Sequence, residues 1–247
     1  MRRVFLFSLL ISLASGLLAQ GAPTSFRAAK KKAALVYRDH QTTFYCGCSY
    51  NRHLNAGRSQ LIPDLISCGY QVRKQYPRAH RIEWEHVVPA WVFGHQRRCW
   101  QHGGRKQCKK DPVFRSMEAD LYNLAPAIGE VNGDRSNYGF GLLPRTPDMY
   151  GRCQFKVNFK RHMAQPPANK RGAIARIWLY MAAHYHLRLS RQDQKLYSAW
   201  NTMYPVRSWE AQRNLRISAI QGWENPFVVQ RMALSTDDSR PVIDHPS

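Results

Sequence analysis

Two stretches carry the reading of this chain: Glu83-Trp84-Glu85-His86-Val87-Val88-Pro89, and Met117-Glu118-Ala119-Asp120-Leu121-Tyr122-Asn123-Leu124-Ala125-Pro126 leading into Gly129-Glu130-Val131-Asn132-Gly133-Asp134-Arg135-Ser136-Asn137. The first is β-branched towards its end and stops at a proline. That proline biases Val88 towards extended geometry. The second opens as a strand, Leu121 to Pro126, which the proline is expected to stop. It continues as a short helix or turn from Ile128 to Asn132. Asn-Gly-Asp reads equally as a plain turn. Two strand-like runs followed by a polar helix are the order expected of a hairpin plus helix that clamps one metal ion between them. One feature resists an ideal strand. Neighbouring strand residues face opposite sides, so Glu85 and His86 converge on one point only where the strand ends or bulges.

Outward from these stretches the chain reads as a mixed α+β fold, a helical scaffold around a few strands. Residues 25 to 39, with alanines among lysines, read as a first helix. Phe44-Tyr45-Cys46-Gly47-Cys48 reads as a short extended segment. Residues 94 to 112 hold Gly94, Gly103 and Gly104 among basic residues and read as a long surface loop. The C-terminal part is helical. Ile174, Ile177, Trp178, Met181 and Tyr185 keep the spacing of one helix face. Ser190 is placed to cap a following helix that carries Leu196, Ala199, Trp200 and Met203. A further helix from Trp209 to Ile220 ends at Gly222.

The ends read differently. Met1-Arg2-Arg3 precedes an apolar run from Val4 to Leu13 and then small residues, the pattern of a secretory signal peptide. Residues 1–19 are assigned to it, with cleavage after Ala19. A membrane anchor is the competing reading, but serines and Gly16 interrupt the run, which is short for a bilayer span of about 20 residues. Residues 20–234 form a single expected domain, without an internal linker or repeat. Residues 235–247 are polar, contain Pro241 and Pro246, and are expected to be an unstructured tail.

The formal net charge of the 247-residue chain is +21, from 37 Lys and Arg against 16 Asp and Glu. A field of this sign attracts polyanions and releases their counterions. Nucleic acid, anionic lipid and acidic polysaccharide all qualify as partners. The six cysteines are Cys46, Cys48, Cys68, Cys99, Cys108 and Cys153. An even number in an exported chain reads as disulfides. Cys99 with Cys108 is the favoured local pair, around Gly103-Gly104. The alternative, zinc held by His95, Cys99, His102 and Cys108, fits no familiar spacing.

Against this charge the two stretches acquire a chemistry. Cutting a phosphodiester needs a base for water, a cation to neutralise charge on the phosphate, and their joint positioning. His86 suits the base, since an unperturbed imidazole titrates near neutrality. Glu85 offers an oxygen to a hard ion such as Mg²⁺, and Asn132 a neutral oxygen opposite it. Arg105 lies in the Gly-rich loop beside Lys106, Lys109 and Lys110. A guanidinium grips two phosphate oxygens at once, which lysine does not. A metalloprotease is disfavoured because the chain contains no His-Glu-x-x-His helix. A nucleic-acid-binding protein without catalysis would share the charge but has no need of Glu85-His86 with Asn132.

Glu85-His86-Val87-Val88-Pro89-Ala90, Gly103-Gly104-Arg105-Lys106 and Glu130-Val131-Asn132-Gly133-Asp134-Arg135 resemble the bacterial endonuclease I family of periplasmic and secreted nucleases. The resemblance runs from about Tyr45 to Phe227. It implies a ββα-metal (His-Me finger) active site in a mixed α+β domain. It also implies cleavage of single- and double-stranded DNA and of RNA, leaving 5′-phosphates. By the same resemblance His86 is the general base, Glu85 and Asn132 bind the metal, and Arg105 contacts the scissile phosphate. Glu118 matches an acidic residue near the site. The expected ion is Mg²⁺, with Mn²⁺ or Ca²⁺ as substitutes, and the expected location is the periplasm or the medium. A monomer without a membrane span is the working expectation. The family's cysteine pattern includes bridges that six cysteines do not supply, so its connectivity is not transferred.

Overall fold

The computed structural model describes residues 21–55 and 58–237. The expected signal peptide therefore lies outside the described residues. The first helix, α1 (Phe26–Val36), starts where Ser25 accepts a hydrogen bond from the Ala28 amide, and it buries Ala29, Ala33 and Val36. It ends at Val36, short of the expected residue 39. A hairpin that the sequence reading did not foresee follows, β1 (Tyr50–Asn55) with β2 (Arg58–Pro63). Phe44 to Cys48 is not extended as expected. It turns, with Gly47 at φ 75°, so that Cys46 bridges to Cys153 while Cys48 bridges to Cys68. Two cysteines one residue apart that serve distant partners need such a turn.

The short helix α2 (Tyr76–Ala79) leads into β3 (Ile82–His86). The next segment contains α3 (Ala90–Gly94), α4 (Arg98–Gln101), α5 (Gly104–Cys108) and α6 (Pro112–Ala119). The long loop expected over 94–112 is thus two single-turn helices. The Cys99–Cys108 bridge joins them, and the Asp111 side chain caps α6 through the Phe114 amide. That bridge is the pair favoured from the sequence.

A 3₁₀ turn at Leu121–Asn123 precedes β4 (Leu124–Ile128), which pairs antiparallel with β3. Pro126 does not stop this strand, as the sequence reading expected; it lies inside it, opposite Trp84. The reason is directional. In an antiparallel strand a residue's amide and carbonyl face the same side. The Pro126 carbonyl accepts from the Phe44 amide at 2.7 Å, away from β3, so the missing N–H removes nothing from the ladder. Helix α7 (Gly129–Arg135) follows directly.

The remaining strands, β5 (Gly139–Phe140), β6 (Lys156–Asn158) and β7 (Met163–Gln165), form a small mixed sheet in the order β5-β7-β6. The helical end then matches its reading. Helix α8 (Ala168–Tyr185) buries Ile174, Ile177, Trp178 and Met181. Helix α9 (Arg191–Met203) is capped by Ser190 through the Asp193 amide. Helix α10 (Ser208–Gln221) closes on Gly222 in the left-handed region. Trp178 of α8 stacks on Tyr197 of α9 with centroids 4.8 Å apart. Helix α11 (Pro226–Asp237) runs past Ser235 into the stretch expected to be unstructured. A polar composition sets no helix boundary when the preceding turns already satisfy its backbone. Residues 238–247 lie outside the described residues. The α+β fold class is as expected, and among the described residues no helix is long and apolar enough to cross a membrane.

Candidate active site

Strand β3 ends at His86, the point at which the two-fold alternation of a strand ceases to bind its neighbours. Asn123 fixes this exit. Its Oδ1 accepts from the Val88 amide at 2.7 Å and its Nδ2 donates to the Val88 carbonyl at 2.9 Å. Arg135, at the end of α7, closes it from the other side. Its Nη1 donates to the His86 carbonyl at 3.0 Å and its Nη2 to the Val87 carbonyl at 2.6 Å. These contacts hold consecutive residues in a non-repeating conformation, and Glu85 and His86 line one cavity of about 450 Å³. Arg105 and Asn132 line the same cavity. Four of the five residues singled out from the sequence are therefore brought together.

His86 is 9% exposed. Its Nε2 lies 2.8 Å from the Glu118 main-chain carbonyl. A carbonyl only accepts, so Nε2 carries the proton and Nδ1 keeps its lone pair. The Phe26 ring packs against the imidazole at 4.7 Å and Phe93 meets it edge-on at 6.2 Å. Burial pushes the imidazole pKa down to about 4. The Glu118 carbonyl opposes this, and the positive charges of Arg105 and Arg135 add to it. The ring is neutral at neutral pH.

Glu85 is 3% exposed. Its Oε1 accepts from the Tyr45 hydroxyl at 2.8 Å and lies 3.1 Å from Arg135 Nη1. Burial raises its pKa to about 7, against the pull of Arg135 and Tyr45. Asn132 donates from Nδ2 to Glu83 Oε2 at 2.8 Å. Glu83 is itself held by Arg78 and Arg81. The amide is thereby oriented, and its Oδ1 accepts no hydrogen bond among the described residues.

Arg105 sits in the first turn of α5, which the Cys99–Cys108 bridge pins. Its Nε donates to Glu118 Oε1 at 2.7 Å, and its side chain stays 45% exposed. Glu118 is the residue whose role differs most from a generic acid near the site. It does not line the cavity. Its carboxylate holds Arg105 and its carbonyl holds His86.

The donor set suits a hard, hydrated ion. One carboxylate and one amide oxygen face a space large enough for retained water, which is how Mg²⁺ is held when few protein groups bind it. Among the described residues no three His, Cys, Asp or Glu side chains form a preformed cage. The sequence reading missed Arg135, Tyr45, Asn123 and Phe26. Arg135 was inside a quoted motif, but nothing in the residues around it marks it as the partner of Glu85. The others had no signal either.

The Endonuclease I family model matches residues 26–231. A periplasmic deoxyribonuclease of Aeromonas hydrophila is 51% identical over 221 residues, 89% of this chain and 91% of the relative. An extracellular deoxyribonuclease of the same organism is 53% identical over 205 residues, 83% and 88%. Endonuclease-1 of Buchnera aphidicola subsp. Acyrthosiphon pisum is 47% identical over 204 residues, 83% and 80%. Periplasmic and extracellular relatives, with three disulfides in the chain, place the protein outside the cytoplasm, in the periplasm or the medium. With that span and that identity, the chain belongs to the endonuclease I family.

Proposed function

We propose that this protein is an endonuclease that hydrolyses phosphodiester bonds in single- and double-stranded DNA and in RNA, with little sequence preference, leaving 5′-phosphates. The observation that carries the reading is the convergence of Glu85, His86, Arg105 and Asn132 on one cavity, with the imidazole tied at Nε2. The ββα-metal finger implied by the family resemblance is assigned to β3, β4 and α7.

His86 takes a proton from the attacking water at Nδ1, the nitrogen its hydrogen bond leaves free. Its neutral form is the one a base requires. The lowered basicity is matched by the burial that keeps the ring dry and fixed. Glu85 and Asn132 would hold a Mg²⁺ ion, with Mn²⁺ or Ca²⁺ as substitutes. When bound, the ion neutralises charge on the phosphate and at the leaving 3′-oxygen. Arg105 exchanges Glu118 for the phosphate oxygens of the substrate, a like-for-like swap of one oxyanion for another. The Glu118 carbonyl keeps the base in place while this happens.

Phosphate contacts position a protein without reading bases, and the net charge of +21 supplies the long-range attraction. The test is plasmid nicking with and without EDTA, with end analysis of DNA and RNA products. Metal-dependent scission yielding 5′-phosphates is expected. Scission undiminished by chelation, or products carrying 3′-phosphates, overturns the reading.

A further inference from the structure

A second cavity, of about 340 Å³, lies between the first turns of α8 and α10 and the segment after α1. It shares no lining residue with the catalytic cavity. The two are separated by a pair of rings: Trp84 lines one, Tyr37 lines the other, and they meet edge-on at 5.8 Å.

Two of its cations, Arg213 and Lys170, lack an ion-pair partner among the described residues. Arg213 is 8% exposed. Its Nε donates to the Tyr37 hydroxyl and its Nη2 to the carbonyls of Leu121, Tyr122 and Leu124. Among the described residues its hydrogen bonds all go to neutral oxygens and none leaves Nη1; its guanidinium carbon also lies 5.7 Å from the centre of the Tyr37 ring. Lys170 also has no carboxylate within ion-pair distance among the described residues, and its ammonium lies 5.7 Å from the centre of the Phe44 ring. The nearby acid, Glu210, is engaged at both oxygens by Arg176, at 2.6 and 2.7 Å. Burial, then the neighbouring Arg207 guanidinium, lowers the Lys170 pKa, with the Glu210 carboxylate opposing them. Helices α8 and α10 both begin here without a capping side chain. Their partial positive ends add to the same field. Leaving the buried Arg213 guanidinium without a counter-charge is costly, and a bound anion reduces that cost.

Part of the remaining lining is aromatic, with Phe44, Tyr204 and Trp209, the last held flat against His40 at 3.8 Å. The volume is at the small end of ligand pockets, which run from roughly 300 to 1,000 Å³. It admits one nucleotide and excludes a duplex.

We propose that this cavity is a binding site for a nucleoside 5′-monophosphate, its phosphate held by Lys170, Arg213 and Arg207 and its base against the aromatic wall. The proposal rests on the nuclease reading only for the source of the ligand, since cleavage leaving 5′-phosphates generates it. Calorimetry of the mature protein in EDTA with dAMP tests it without any cleavage. Binding is expected, with deoxyadenosine and inorganic phosphate each markedly weaker. Lys170→Met removes charge but no hydrogen bond, and is expected to weaken dAMP about tenfold, the worth of one charge-assisted contact. Arg207→Gln is expected to act in the same direction, with plasmid nicking unchanged in both variants. Arg105→Ala, in the other cavity, is expected to leave dAMP binding intact. A 5′-phosphorylated oligonucleotide that binds as dAMP does assigns the site to strand ends, and one that does not assigns it to free product. Absence of dAMP binding at millimolar ligand, equal affinity for inorganic phosphate, or loss with Arg105→Ala but not with Lys170→Met would each overturn the proposal.

Discussion

The two sides of helix α7 have opposite duties. On one side Glu130 and Asp134 exhaust their acceptors on scaffold. Glu130 takes the Tyr70 hydroxyl and the amides of Arg73, Lys74 and Gln75. Asp134 takes Arg73 in a two-point bond together with Gln75 and the Tyr150 hydroxyl. On the other side Asn132 and Arg135 line the catalytic cavity. The acids nearest to an acidic-metal stereotype are thus the structural ones, while an amide and a buried arginine serve the site. Acidity alone does not mark a ligand. A carboxylate that already accepts from every direction has nothing left for an ion.

The comparison breaks most decisively at the catalytic cavity. His86→Ala is expected to lower cleavage by roughly 10²- to 10⁴-fold, the usual worth of a positioned base, while DNA binding measured by filter retention persists. Near-normal cleavage by that variant removes the base assignment. Arg135→Met joins both sides of the contrast, because it strips Glu85 of its buried partner and frees two carbonyls. It is expected to destabilise the fold by about 3 to 5 kcal/mol, as breaking a buried ion pair does, and to reduce cleavage as well. A urea midpoint equal to that of the parent contradicts it.

Glu130→Gln sharpens the contrast from the scaffold side. It is expected to lose roughly 1 to 3 kcal/mol through mismatched donors, with cleavage per folded molecule unchanged. The sign in pH is fixed by the carboxylate. Burial alone would raise its pKa, but the amides of Gln75 and Lys74 outweigh it and leave it lowered. Its stabilisation is therefore present above the ordinary Glu value of about 4.3 and is lost as pH falls through the lower folded value. Urea midpoints of parent and variant should converge in acid; a gap that widens on acidification refutes the arrangement. Arg105→Lys has the smallest effect expected, about a tenfold loss of rate from replacing a two-point grip by a single charge, with stability retained. An unchanged turnover rate would place Arg105 outside the phosphate path.

That Glu85, His86, Arg105 and Asn132 belong to one site was largely readable because the signals are local. Glu85-His86 precedes Val87-Val88-Pro89, and a proline after β-branched residues marks a strand exit. Asn132 lies in a polar turn directly after a strand. Ser190 and Gly222 announced helix ends by backbone chemistry confined to one turn. The failures were of two kinds. Pro126 was read as a terminator because its lost amide matters only if that amide faces the partner strand, a direction fixed by tertiary pairing. Residues 94–112 were read as loop because single-turn helices carry too few residues for a periodicity. The hold of Glu118 on His86 runs through a peptide carbonyl, which every residue possesses and no side chain advertises.

By itself the sequence determined the net positive charge, the exported and bridged character of the chain, and the choice of Glu85, His86, Arg105 and Asn132 as the groups proposed to react. Each depends on residue type or on neighbours within a few positions. The tertiary structure alone decided that these groups share one cavity and that Tyr45 and Arg135 hold Glu85. It also decided that Arg213 and Lys170 line one further cavity. Such contacts join residues tens of positions apart, and which pairs meet is set by the packing of the whole core rather than by any segment of the chain.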